Sequence, residues 1–138
     1  MAYDPNNIFA KILRGELPCI RLCENETTLA FMDIMPQSRG HALVLPKEAA
    51  ETFYELSEGA AAECMKTTKQ VALAIRKVLV PDGLFIGQFN GAAAGQTVPH
   101  VHFHLIPRWE GEAVKLHARD MADRAELEVL ADKIRAAL

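Results

Sequence analysis

The chain has 138 residues, half of them apolar and about a quarter charged, with a formal net charge of −3; that is the length of one domain able to bury a real core, and it carries no basic footprint for nucleic acid. Its apolar runs, such as Ala42–Leu45 and Leu84–Ile86, are far shorter than the roughly 20 residues of a membrane span, and residues 1–7 lack the charged-then-apolar pattern of a secretory leader. The three cysteines (Cys19, Cys23 and Cys64) are odd in number and form no C-x-x-C pair, which reads as reduced, apolar filler in a cytoplasm.

In chain order, Ile8–Arg14 predicts a short helix stopped by Gly15 and Pro18. Ile20–Cys23 and Leu29–Met32 predict a hairpin turning through Glu24, Asn25 and Glu26. Pro36–Gly40 reads as a loop and His41–Leu45 as a third strand ended by Pro46. Ser57 is a natural N-cap for a long helix to about Leu79, with Ala60, Cys64, Val71, Ile75 and Val78 on one face, closed by Pro81, Asp82 and Gly83. Leu84–Phe89 predicts a fourth strand, Asn90–Thr97 a small-residue loop and Val101–Pro107 a fifth strand. Asp123 and Glu126 form a capping-box pattern opening a C-terminal helix with Leu127, Leu130, Ile134 and Leu138 at helical spacing. A hairpin, later strands and segregated helices argue for an α+β fold with a mainly antiparallel sheet.

His100-Val101-His102-Phe103-His104 decides the functional reading. On a strand, alternate side chains share a face, so the imidazoles are expected on one side while Val101, Phe103 and Leu105 enter the core. A polar strand face without a role would need three same-face histidines by chance. A metal held by all three is disfavoured, because His100 and His104 would lie roughly 13 Å apart along the strand, beyond the span of two bonds of about 2 Å to one ion; two of the three with help from elsewhere stay open. The remaining reading is nucleophilic catalysis at phosphorus. Neutral imidazole offers a free nitrogen, and crowding keeps one ring neutral while another carries a proton for a phosphoryl oxygen. The loop Gly91-Ala92-Ala93-Ala94-Gly95 lets backbone N–H groups approach an anion, though such stretches are more often simple turns.

The run Gly95-Gln96-Thr97-Val98-Pro99 followed by the three histidines, Leu105, Ile106, Pro107 and Arg108 resembles the signature of the histidine triad (HIT) family. Two further blocks agree with it, Asn7–Ile12 and Leu29–Lys47, so that the resemblance spans about residues 7–108. It implies a HIT-like fold in which two subunits join their five-stranded sheets around paired long helices. It implies a covalent nucleotidyl intermediate on His102, with the carbonyl of His100 orienting that ring and His104 and His41 around the phosphate and relay network. Gln96 and Thr97 match contacts to the phosphate or leaving group, Asn90 a phosphate- or ribose-side amide, and Asp33 the acceptor of both ribose hydroxyls. Ile8, Phe9, Phe31 and Ile34 match the apolar walls around the base. Asp33 has a plain alternative as a cap for the loop at Ile34–Gln37, and Ile8, Phe9 and Phe31 are expected to be buried in any fold.

Two departures matter. Many bacterial members hold a structural zinc with a C-x-x-C and a histidine shortly after Pro-Lys. Here those places are Asn7, Ala10 and the run Glu48-Ala49-Ala50, so no metal and no cofactor is expected. The tail beyond Arg108 also differs from that of the phosphoramidase-type branch, which leaves the leaving group open. The expected activity is hydrolysis at the α-phosphate of adenosine nucleotide conjugates such as phosphoramidates. Dinucleoside polyphosphate hydrolysis, or a nucleotide-binding module with incidental turnover, are the alternatives. The expected partners are a purine nucleotide and a second copy of the chain.

Overall fold

The computed structural model describes residues 2–113 and 121–138. Its elements are α1 (Ile8–Leu13), β1 (Arg21–Glu24), β2 (Thr28–Met32), β3 (Ala42–Pro46), α2 (Glu58–Leu79), β4 (Gly83–Gly87), β5 (Phe103–Arg108) and α3 (Arg124–Ala137). The five strands form one antiparallel sheet in the order β1-β2-β3-β5-β4, the α+β arrangement expected. Among the described residues, no helix is long and apolar enough to cross a membrane.

Strand alternation divides the core. Ala30, Met32, Ala42, Val44, Phe103 and Leu105 face one way and pack with Cys64, Val71 and Ile75 of α2 and Leu127, Leu130 and Ile134 of α3. Leu29, Phe31, Leu43 and Leu45 face the other way, against Phe9 of α1. The central strands β2 and β3 are therefore covered on both sides and read as continuous apolar runs. Each large side chain buried this way contributes roughly 1.5–3 kcal/mol, so the middle of the sheet is a firm base for whatever its ends present.

The helices start where the sequence predicts. Ser57 Oγ accepts the Ala60 N–H at the head of α2, Asp123 caps Ala125 at the head of α3, and Asn7 Oδ1 accepts the Ala10 N–H at 2.8 Å to open α1. The last strand is shorter at its start than expected. It begins at Phe103 and not at Val101, because the Val101 N–H is taken by the Ala50 carbonyl, outside the ladder, at 2.9 Å. Strand β4 likewise ends at Gly87, leaving Gln88 and Phe89 to enter the loop, and the small-residue loop winds into a 3-10 turn over Ala92–Ala94. Gly91 and Gly95 bracket that turn at φ +87° and +110°, conformations that side-chain-bearing residues rarely adopt.

Candidate active site

Three segments converge on the α1 side of the sheet. His104 is the second residue of β5 and pairs with Leu43 of β3, which places its ring on that face. Asp33 follows the end of β2 and His41 precedes β3; since Met32 pairs with Ala42, the ladder continues outward and the Asp33 N–H meets the His41 carbonyl at 3.0 Å. His102 lies just before β5, its ring edge-on to Phe9 with centroids 4.8 Å apart and 4.9 Å from that of His104.

His100 departs from the one-face expectation. It precedes the strand, is fully buried, and its ring bonds to the Pro46 carbonyl (Nε2, 2.8 Å) and the Tyr3 hydroxyl (Nδ1, 2.6 Å). Only His102 and His104 of the run stand side by side; the third ring of the cluster comes from His41. Ile8 also differs from the expectation of burial. It is 54% exposed and Ile34 45% exposed, whereas Phe9 and Phe31 are buried, their rings edge-on to each other.

Backbone N–H groups only donate and carbonyls only accept, so the hydrogen bonds assign the protons on the rings. The Gln37 N–H donates to His41 Nδ1 at 3.0 Å, which puts the His41 proton on Nε2. That N–H points to His104 Nδ1 at 3.0 Å, so His104 carries its proton on Nε2. His102 Nδ1 lies 2.7 Å from the His100 carbonyl and must donate to it. The remaining nitrogen of His102, Nε2, is therefore an unprotonated lone pair, and it has no protein partner among the described residues. An unprotonated nitrogen and a neighbouring N–H donor are thus fixed by two backbone groups, the Gln37 N–H and the His100 carbonyl, with the His41 ring between the first of them and His104.

Charge follows the same logic. Burial lowers the pKa of His41 to about 3, with His104, Arg108 and His102 adding to it, and that of His104 to about 4, with His102 adding to it. Burial also lowers His102 and His100, opposed by their bonds to the carbonyls of His100 and Pro46. Sequence reasoning expected one neutral ring beside a charged one. Desolvation instead keeps the whole group neutral at pH 7, so protons are presented through tautomers and not through an imidazolium. Asp33 is pushed up to about 6 by burial, against the Met35 N–H bonded to Oδ1 at 2.8 Å. One oxygen thus caps the loop, and the other lies 3.5 Å from His41 Nε2.

Asp33, His41 and His104 bring three potential metal-ligand atoms within 4.8 Å of one another. The proton assignment speaks against an ion there: His41 Nε2 would have to surrender its proton while the Gln37 N–H already occupies Nδ1. Nor do the residues at the expected zinc place fit a metal. Asn7 spends its amide on the Ala10 N–H and the Asp4 carbonyl, and Ala10 and Ala49 offer no ligand atom.

The polar loop is arranged differently from its expected role. Gln96 Oε1 accepts the Gly91 N–H at 2.7 Å, and its Nε2 donates to the carbonyls of Glu51 and Val98 at 2.6 and 2.9 Å. The amide holds the small-residue loop in shape and is spent on backbone. Asn90 is paired with Gln88, amide to amide, and accepts the Phe53 N–H at 2.7 Å. Thr97 is exposed. Sequence reasoning missed Gln88, Tyr3, the Gln37 amide and the Pro46 carbonyl. Only the Gln88-Phe89-Asn90 spacing, with two amides on one side of an extended stretch, carried any signal.

An unprotonated histidine nitrogen, an N–H donor, a second histidine behind it and a carboxylate are the groups that nucleophilic attack on a polar centre needs. The HIT domain family model matches residues 14–111, and the chain belongs to the HIT family. An adenosine 5'-monophosphoramidase of Schizosaccharomyces pombe is 46% identical over 101 residues, covering 73% of each chain. An adenylylsulfatase of Arabidopsis thaliana is 36% identical over 117 residues, covering 80% of this chain and 59% of that protein. The crystal structure of a Hit-like protein from Bartonella henselae, 44% identical, superposes with a TM-score of 0.92 over 99% of this chain and 100% of its own.

Proposed function

We propose that the protein hydrolyses adenosine nucleotide conjugates at the α-phosphate through a covalent intermediate on His102. The observation that carries this reading is the His102 ring, whose Nδ1–H is held by the His100 carbonyl so that Nε2 is free and neutral. Attack forms the Nε2–P bond as the bond from phosphorus to the leaving group breaks. The leaving group departs with the bonding pair and takes a proton from solvent, while His104 Nε2–H donates a hydrogen bond to it. Water then attacks phosphorus as the Nε2–P bond breaks, loses a proton to solvent and releases the nucleoside monophosphate with His102 neutral again. The positive charge that develops on His102 is balanced by the carbonyl on Nδ1. Phosphoramidates head the substrate class because relatives acting on adenosine 5'-monophosphoramidates and on adenylyl sulfate share an adenylyl group and differ in what leaves. A turnover screen of adenylated amines, adenylyl sulfate and dinucleoside polyphosphates tests the reading. Preference for the last would move the activity to polyphosphate hydrolysis, and no turnover of any would leave a nucleotide-binding module.

In this reading Ile8, Ile34, Phe9 and Phe31 wall the base, and Asp33 Oδ2 accepts the ribose hydroxyls. Asp33→Asn is expected to weaken binding of adenosine monophosphate roughly 10- to 150-fold, the worth of a charge-assisted hydrogen bond. Equal binding of ribo- and deoxyribonucleotides by the unaltered protein would remove the ribose role. Gln96 and Asn90 act by shaping the loop, and Thr97 is the exposed hydroxyl left to meet the phosphate or leaving group.

We also propose a homodimer. Strand β4 is an edge of the sheet with Phe85 and Ile86 exposed, and Met65 and Leu73 are exposed on α2. An open edge flanked by bare apolar side chains is poorly tolerated in a free monomer. Sedimentation at micromolar concentration should find the dimer mass, and Ile86→Lys should shift it to monomer. A monomer from the unaltered chain would refute the assembly.

A further inference from the structure

His100 is the first histidine of the run, yet its ring takes no place beside the other two. Its Nε2 faces the Pro46 carbonyl at 2.8 Å, an acceptor only, so Nε2 carries the proton and Nδ1 is a lone pair in a fully buried place. The partner of that lone pair is the Tyr3 hydroxyl at 2.6 Å, which must therefore donate. The phenol ring also packs edge-on to the imidazole, with centroids 5.6 Å apart at 73°. The same residue's carbonyl holds His102 Nδ1 at 2.7 Å. Residue 100 lies ahead of β5, so no ladder bond fixes that carbonyl; the nearest backbone tie is the Val101 N–H to the Ala50 carbonyl. What holds residue 100 is its own side chain, clamped between the end of β3 and the segment that precedes α1.

We propose that Tyr3 is a positioning residue for the reaction: its hydroxyl holds His100 in the Nε2–H form, and so aims the His100 carbonyl that leaves His102 Nε2 free to attack. This rests on the hydrolase reading above. Among the described residues the Tyr3 hydroxyl bonds to His100 and to none of His102, His104 or Asp33, so it acts through His100. A buried imidazole nitrogen without its donor is driven to turn, to recruit water or to take a second proton, and each of these disturbs the carbonyl behind the nucleophile.

Tyr3→Phe keeps the ring packing and removes only the donor. Its kcat on an adenylated amine should fall about tenfold with KM within about twofold, since the lost contact matters to the nucleophile and not to the nucleotide pocket. Long-range proton–nitrogen spectra of the ligand-free protein supply a readout independent of turnover. The unaltered protein should show His100 protonated at Nε2 with a hydrogen-bonded Nδ1. In Tyr3→Phe the Nδ1 resonance should move toward the free-nitrogen range, and the His102 Nδ1–H should exchange faster with solvent. Tyr3→Leu, which also removes the ring, should reproduce both shifts. An unaltered protein with His100 protonated at Nδ1 overturns the proposal, as does a Tyr3→Phe variant with unchanged kcat or unchanged His102 exchange. Should the unaltered protein turn over no conjugate, the hydrolase reading fails, while the spectra still decide whether Tyr3 sets the His100 tautomer and the carbonyl contact.

Discussion

His102→Ala is expected to abolish turnover, by at least about 10³-fold, while nucleotide binding stays within a fewfold of the unaltered protein. The expectation follows from the proton assignment. Of the rings in the cluster, His41 has both nitrogens engaged, by the Gln37 N–H and by His104, and His104 Nδ1 is engaged by His41. His104 keeps a free position, but it is an N–H and cannot attack. Of these rings only His102 Nε2 offers an unshared pair, so losing it removes the proposed nucleophile, while the groups proposed to hold the nucleoside, Asp33, Ile8 and Ile34, stay in place. Rapid quench with an adenylated amine, followed by peptide mass spectrometry, should find an acid-labile adenylate on His102 of the unaltered protein and none on the variant. An adduct on His104 or His41 would mean that the tautomers run the other way.

The second large effect is on folding and not on rate. Stability should fall steeply as pH drops below about 6.5. His41 and His104 titrate near 6.5 when exposed, but only at about 3 and about 4 in the fold. Between those values the unfolded chain binds protons that the folded chain refuses, so acid favours unfolding. Above pH 6.5 the neutral forms prevail in both states and no penalty remains. Asp33 works the other way: raised from 3.8 to about 6, it takes up a proton in the fold first and returns some stability over that window. Two histidines outweigh one carboxyl, and His100 and His102 are lowered in the same sense as the other two. At about 1.4 kcal/mol per unit, the net loss is on the order of 3 kcal/mol by pH 4.5, a large share of a typical domain's roughly 5–15 kcal/mol. Urea unfolding at pH 7.5 and 4.5 measures it. Equal midpoints would mean that the rings are solvated and charged, which would also undo the neutral tautomers assigned to the cluster. His41→Phe should flatten part of the slope.

The fold was legible because each element carried more than one local signal. Ser57 and Asp123 capped helices whose apolar faces ran at the right spacing, and β2 and β3 were apolar throughout because both sides of the sheet are covered there. The starts and ends of β5 and β4 were less legible. Strand propensity runs through Val101, but a hydrogen bond to Ala50, from a segment 51 positions earlier, draws that residue out of the ladder. No local pattern records such a bond. The same holds for the site. The histidine run and its resemblance marked His102 and His104, and the convergence of Asp33 and His41 followed from a register that a hairpin and one further strand impose. Two features were hidden. One was the neutrality of the whole cluster, which depends on burial depth and not on residue type. The other was the separation of His100 from its neighbours, decided by Tyr3, 97 positions away.

The side chain of Gln96 ties Gly91, Glu51 and Val98 together, and its neighbour Asn90 reaches Phe53. The small-residue loop and the 51–53 segment are therefore one panel, tied together by side-chain amides, while Asp33 and His41 are built into the sheet itself. On the proposed reading the nucleoside side is built into the core, so a change there disturbs folding, whereas the loop panel can be rebuilt residue by residue without touching a strand. A scaffold divided this way can keep one handle on its substrates and trade what it cuts away from them.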